Sequence, residues 1–429
     1  MDTITLYKNN IKSNFESFVR SWTEEEPLLL TMKVFRIAFF SWLLMHTLIL
    51  LPYHSDIFSP DAFINHRPFY PEEYWGWIKG LVAHPFFKYN YLYFIAAQII
   101  VLLLGIFGVG LRAVIPFIWF FSLNVNHASG VIMDGGNNLS ELISFYLIFV
   151  NTSGKPIPGQ KDNSFRILLT SLSNTVFFLI KIQVVIVYLS AGIYKLGGSL
   201  WQNGMALYYI LQSDIYGHPM LAKLMVAFPI LSLIGTYATL LFQMTFPWLV
   251  WNKKLRPFYI VWGVGLHLGM IFAMGLLTFG SNMCLMFLVF FKDNYFKNIK
   301  NFLKSLKGGT IEVGVDENCG ICIRFSKIIK KLDFYQLVKF DRAHHPESKN
   351  LQAVDKNKRL EAILGYEEKK ESFICGMNVI SQVIYKLPFG FLLRPLFILL
   401  KFKRLDRKIY GRIANSKLRK NCREGICNV

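Results

Sequence analysis

Charge is what this chain of 429 residues has least of. Asp, Glu, Lys and Arg make up 17% of it, where a soluble domain carries about 25%. Acidic residues are scarcest, 27 against 47 Lys and Arg, for a net charge of +20. That balance excludes an ordinary soluble enzyme. Six cysteines in 429 residues exclude a small disulfide-stapled scaffold. No small-residue cleavage site follows a short apolar stretch near the start, which predicts that the first apolar run is a retained anchor. What is abundant is apolar surface: 53% of residues are hydrophobic, 16% aromatic and 39 are Phe. The composition is that of a polytopic membrane protein carrying a soluble part. Basic charge is uneven, with 29 of the 47 Lys and Arg from Lys292 onward. A basic block after the last apolar run points to a tail facing anionic lipid, with no nucleic acid as partner.

Runs long enough to span a bilayer, about 20 residues, lie near 33–52, 91–110, 167–196, 222–250 and 257–278. Shorter runs at 112–127, 138–152 and 280–291 bring the expected total to eight. Lys33, Arg112, Arg166, Lys253, Lys254, Arg256 and the tail then fall on one side, so both termini are expected in the cytoplasm. The expected location is the bacterial inner membrane. Expected domains are an N-terminal segment at 1–30, a membrane domain at 31–292 and a soluble domain at 308–429. The aromatic-rich stretch 59–89 reads as an interfacial helix or a lid over an outward-facing cavity.

Lys195 stands out, in the last turn of the fifth run, where a cation is costly. A lysine near a helix end also snorkels into the headgroups. Val184, Tyr188, Ala191 and Lys195 share one helix face. Polar groups at matching depth on other runs are His127, Asp134, Asn138, Glu141 and His267, with His46 on the first run. Glu141 or Asp134 could balance Lys195, and a desolvated lysine can act as a general base. Structural alternatives stay open: His267 as an interhelical hydrogen-bond donor, and Asn137, Asn138 and Glu141 as helix-capping groups.

The grammar changes near Gly308. Thr310–Val315 alternates like a strand, Asp316-Glu317-Asn318-Cys319-Gly320-Ile321-Cys322 follows, then a helical pattern over Ile323–Leu332 and a strand pattern over Tyr335–Phe340. Strand, CxxC, helix, strand predicts a small thioredoxin-like α/β domain. A CxxC at a helix start favours thiolate on its first cysteine. Zinc held by Cys319, Cys322, Cys422 and Cys427 is the minority alternative, and otherwise no metal is expected.

Ser190-Ala191-Gly192-Ile193-Tyr194-Lys195-Leu196 with Trp201, and later Leu266-His267-Leu268-Gly269-Met270 and Gly135-Gly136-Asn137-Asn138, resemble segments of the horizontally transferred transmembrane (HTTM) domain family, which includes vitamin K-dependent gamma-carboxylase. The resemblance covers roughly 30–292. It implies that Lys195 is a base acting on a quinol in an outward-facing, lipid-accessible pocket, so a quinone is the expected cofactor or substrate. Leu139 stands where the carboxylase has a His after its paired asparagines, Gln243 stands where an acidic residue was sought, and no lumenal substrate-recognition region is present. Glutamate carboxylation therefore does not follow. Bacterial relatives of that family include a maturation factor for a secreted peptide toxin, which makes a small peptide an alternative partner. Asp316-x-x-Cys319-x-x-Cys322, with Lys408–Asn415 near the end, is similar to DCC-type thiol-disulfide oxidoreductases, with Glu317 where that family has Gly. This implies catalytic Cys319 and Cys322, served by a cytoplasmic thiol reductant. The combined expectation is a membrane oxidoreductase, the alternatives being a peptide maturation or export factor and a non-catalytic transporter or scaffold.

Overall fold

Backbone polar groups in lipid have no water to bond, so the apolar runs must satisfy themselves as helices. The computed structural model describes residues 16–17, 19–58, 86, 89–127, 135–160, 163–306, 309–333, 336–387 and the single positions 390, 395 and 399. The segment 59–85, Asp134, the 408–415 motif, Cys422 and Cys427 lie outside the described residues. Four helices are long and apolar enough to cross a membrane: Leu29–Phe58, Ser164–Leu196, Pro229–Leu249 and Arg256–Met274. Tyr91–Phe107, Leu111–Asn126 and Leu277–Phe290 are shorter apolar helices. This is an integral membrane protein with four candidate spans among the described residues.

Two elements differ from the eight-run expectation for local reasons. The run 222–250 is divided at Phe228, because Pro229 starts a new helix and leaves Pro219–Ala227 as a separate short one. The run 138–152 becomes the helix Gly135–Leu147, about 20 Å long, too short for a hydrocarbon core about 30 Å thick.

The chain divides into two compact units, Met1–Asp293 and Asn294–Val429. In the first, Ser164–Leu196 is the longest helix, about 50 Å. The excess over a bilayer is met at its N-terminal end. Asn163 caps it, its side chain accepting from the N–H groups of Phe165 and Arg166. Asn174 Nδ2 then donates to the carbonyls of Trp22 and Glu25, both at 2.8 Å. Trp22 Nε1 donates to Thr175 at 3.0 Å. At the other end of the unit Ser164–Leu196 packs along Pro229–Leu249. Small residues allow the close approach. A Cβ on Gly192 would lie 3.2 Å from Gln243 Cβ, and one on Gly263 only 2.2 Å from Phe287 Cζ. The bundle core is aromatic-rich, with Phe35, Phe39, Phe40, Phe242, Phe246 and Phe287 buried.

The second unit holds a four-stranded mixed sheet in the order β2-β1-β3-β4. β1 (Ile311–Val315) runs parallel to β2 (Val338–Arg342) and antiparallel to β3 (Leu364–Glu367), and β3 pairs antiparallel with β4 (Ser372–Cys375). The helix Gly320–Leu332 connects β1 to β2, and Met377–Lys386 follows β4. Ile311, Val313, Ile329, Val338, Val379 and Val383 form the core. The sequence pattern sets the second strand at 335–340; it occupies 338–342, its start held by Asp333 accepting from Leu337 N–H at 3.0 Å and Val338 N–H at 2.8 Å. Burial pushes the Asp333 carboxyl up, and those two N–H bonds pull against it.

Candidate functional site

Two places concentrate chemistry, one in each unit. In the membrane unit, Lys195 lies in the last turn of Ser164–Leu196, which ends at Gly197. It is half-buried, its Nζ 5.1 Å from the centroid of the Trp201 ring, within cation–π range. Lys195 has no ion pair with a carboxylate among the described residues. Glu141, expected as a counter-charge, instead accepts from Asn126 Nδ2 at 3.0 Å. That bond ties the helix Leu111–His127 to Gly135–Leu147. Asp134 and the side chain of His127 lie outside the described residues, and Asn138 is exposed.

Two turns before Lys195, Tyr188 is buried, its hydroxyl 2.8 Å from His267 Nε2. A 3.6-residue period brings Val184, Tyr188 and Gly192 to the buried face. Gly192, not Ala191, is the close-contact position, with Met244 and Gln243 against it. The Tyr188 ring is boxed by Phe246 at 4.6 Å, Phe242 at 5.2 Å and Phe287 at 6.0 Å. In such a box a phenol must find a polar partner, and His267 is that partner. The bond joins two helices, as in the structural alternative for His267, and its other ring nitrogen adds something more. His267 Nδ1 and Gln243 Oε1 are buried with no hydrogen-bond partner among the described residues. The paired Tyr188 and His267 thus present an unsatisfied ring nitrogen, and a buried polar atom left unpaired is costly. The aromatic box was not visible in the sequence, because Phe at 242, 246 and 287 is one signal among 39 phenylalanines.

In the second unit the functional loop grows out of β1. Asp316 accepts at its side chain from Asn318 N–H at 2.9 Å and at its carbonyl from Cys319 N–H at 3.1 Å. That double turn delivers Cys319 as the N-cap of Gly320–Leu332, with extended backbone and its carbonyl accepting from Ile323 N–H at 3.0 Å. Cys322 follows within the first turn. Both are thiols, Cys319 buried and Cys322 half-buried. One residue that the pattern did not single out braces this loop. His344, just after β2, has Nε2 3.1 Å from Asp316 Oδ1 and 3.2 Å from Asn318 Nδ2, and its backbone N–H donates to Glu317 Oε2 at 3.2 Å. Only the parallel β1–β2 pairing, which aligns Val315 with Arg342, brings residues 28 apart together. Glu317, the departure from glycine noted above, is accommodated by that bond.

Comparison with known proteins agrees with this geometry at the C-terminal end. Residues 313–423 match the family of DCC1-like thiol-disulfide oxidoreductases, so this part of the chain carries a domain of that kind. The chain is also similar to the sporulation-delaying protein SdpB of Bacillus subtilis (strain 168), 26% identical over 125 residues, which is 28% of this chain and 38% of SdpB. An uncharacterized protein of the same organism, YitO, is 28% identical over 174 residues, 38% of this chain and 54% of YitO. The chain therefore spans about half or less of the length of these curated relatives. No solved structure matches it. What is established is an integral membrane protein whose C-terminal part is a DCC1-like thiol-disulfide oxidoreductase domain.

Proposed function

We propose that the protein is a membrane-anchored thiol-disulfide oxidoreductase, with Cys319 and Cys322 as its catalytic pair. The observation that carries this reading is the Cys319 N-cap on Gly320–Leu332, with Cys322 one turn on, inside the region that matches the DCC1-like family. A mixed βαβ–ββα sheet with β3 antiparallel to the rest supports a thioredoxin-like reading of the domain. One thiolate attacks a substrate disulfide and forms a mixed disulfide, releasing one substrate thiol. The second thiolate then displaces the other, so the substrate gains two electrons and Cys319–Cys322 becomes a disulfide. A cytoplasmic thiol reductant returns it to the dithiol. His344 and Asp316 hold the loop in place.

The membrane unit favours a second site on a specific observation, the buried, half-satisfied Tyr188–His267 pair near Lys195 and Trp201. There we propose a lipid-soluble substrate of quinone class, Lys195 and His267 serving its oxygen atoms, within an HTTM-like membrane domain with cytoplasmic termini in a bacterial inner membrane. The alternative, which the HTTM resemblance implies, is a role in maturing or exporting a small secreted peptide.

The test uses the full-length protein in proteoliposomes. Cys319→Ser and Cys322→Ser are each expected to lower the reduction of a model protein disulfide by at least roughly 100-fold, since an exchange cycle needs both thiolates. A doubly substituted protein as active as wild type would sink the thiol reading. Lys195→Ala, assayed for quinol oxidation, tests the membrane site separately, and unchanged rates would remove it.

A further inference from the structure

We propose that the helix Asp293–Leu306 is an in-plane membrane anchor that seats its apolar stripe in an anionic lipid surface. Its sequence, DNYFKNIKNFLKSL, sorts cleanly at 100° per residue. Tyr295, Ile299, Phe302 and Leu306 fall within one narrow stripe, spaced by four, three and four residues. Phe296, half-buried, flanks that stripe, and Lys297 and Lys300 with Asn294, Asn298 and Asn301 lie on the other faces. The stripe is solvent-exposed, its four side chains being 43%, 45%, 62% and 63% exposed. Lys300 Nζ donates to Gln336 Oε1 at 2.8 Å from the flank, leaving the stripe open.

Two observations identify lipid as what covers it. The first is continuity. Phe287–Phe290 closes the last apolar helix and only Phe291 and Lys292 intervene before Asp293. The start is also pinned in depth. The Asp293 carboxylate accepts from the N–H groups of Leu30 at 3.0 Å and Thr31 at 2.8 Å, and from the Thr31 hydroxyl at 2.7 Å. Those N–H groups are the unsatisfied donors at the N-terminus of the first candidate span, so the amphipathic helix starts where a span meets water. The second observation is charge. Three lysines on 14 residues, with the helix's one carboxylate spent on that cap, leave a cationic face suited to anionic headgroups.

Photo-crosslinking of the full-length protein tests this. Benzoylphenylalanine replaces Phe302 in one variant and the exposed, polar-face Asn301 in another, each in vesicles of phosphatidylglycerol and phosphatidylcholine. Phospholipid adducts are expected roughly tenfold more often from position 302 than from 301, because only the apolar face is buried in an interfacial helix. In phosphatidylcholine alone, adducts at 302 are expected to fall several-fold, as the lysines lose their anionic partners. Equal lipid labelling at the two positions overturns the proposal. So does labelling that is insensitive to headgroup charge, or adducts at 302 that join residues 309–387 instead of lipid.

Discussion

At the level of single residues, the membrane unit is governed by how near its helices come. Gly263 and Gly265 are two positions apart on the same helix, and in sequence they look alike. Yet a Cβ at Gly263 would sit 2.2 Å from Phe287 Cζ and 2.8 Å from Phe242 Cζ, while one at Gly265 would meet nothing within 4 Å. Phe242 and Phe287 are the rings that box Tyr188, and they are themselves packed on all sides. Gly263→Ala is therefore expected to destabilise the protein by about 1–3 kcal/mol through overpacking. Gly265→Ala is expected to be neutral or stabilising by up to about 1 kcal/mol, the difference in helix propensity. Thermal unfolding of the two variants in detergent checks both, and similar midpoints would contradict the packing described. Lys195 and the CxxC pair were legible from the sequence because each breaks a local rule, a cation in an apolar run and two thiols at a helix start. The Phe242–Phe246–Phe287 box was not, since aromatic residues are everywhere in this chain and only the packing selects three of them.

At the level of elements, the ends matter more than the middles. Apolar runs located helices but not all their bounds, for reasons written in short-range chemistry: Pro229 restarts a helix inside one run, and Asp333 accepts from the N–H of Val338 where β2 begins. Long-range capping has no local signal at all. The first candidate span begins at Leu29 after Leu28, which supplies no side-chain cap. Its orphan N–H groups are served from 262 and 263 residues away by Asp293. Asp293→Ala removes a charged acceptor from two backbone N–H groups and the Thr31 hydroxyl. The expected cost is about 1–2 kcal/mol, in the upper range for N-cap losses. It should appear as faster hydrogen exchange confined to residues 29–33 and to the start of Asp293–Leu306. Uniform acceleration across the unit, or none, would show that Asp293 is not the cap. The His344 brace on the CxxC loop follows the same logic. A parallel β1–β2 pair brings the end of β2 beside the loop after β1, and no spacing rule in the sequence predicts that meeting.

Across the whole molecule, orientation decides whether the proposed thiol chemistry faces a reducing or an oxidising compartment. A reducing cytoplasm keeps Cys319 and Cys322 as the dithiol that can donate electrons, whereas an oxidising exterior would hold them as the disulfide and reverse the direction of exchange. The positive charge beyond Lys292 argues for the cytoplasmic side, because translocating so many Lys and Arg past a span is disfavoured. Cys319 is a poor reporter of sidedness, being buried wherever the domain lies. Cys375, at the end of β4 in the same domain, is exposed and gives a clean readout. A membrane-impermeant maleimide should leave Cys375 unmodified in intact cells and modify it in inverted vesicles, as read from the mass of the peptide that contains it. Modification in intact cells would place the thiol domain outside. The CxxC disulfide would then act as an oxidant of exported dithiols: two substrate thiols become a disulfide, and Cys319 and Cys322 take up the two electrons as thiols.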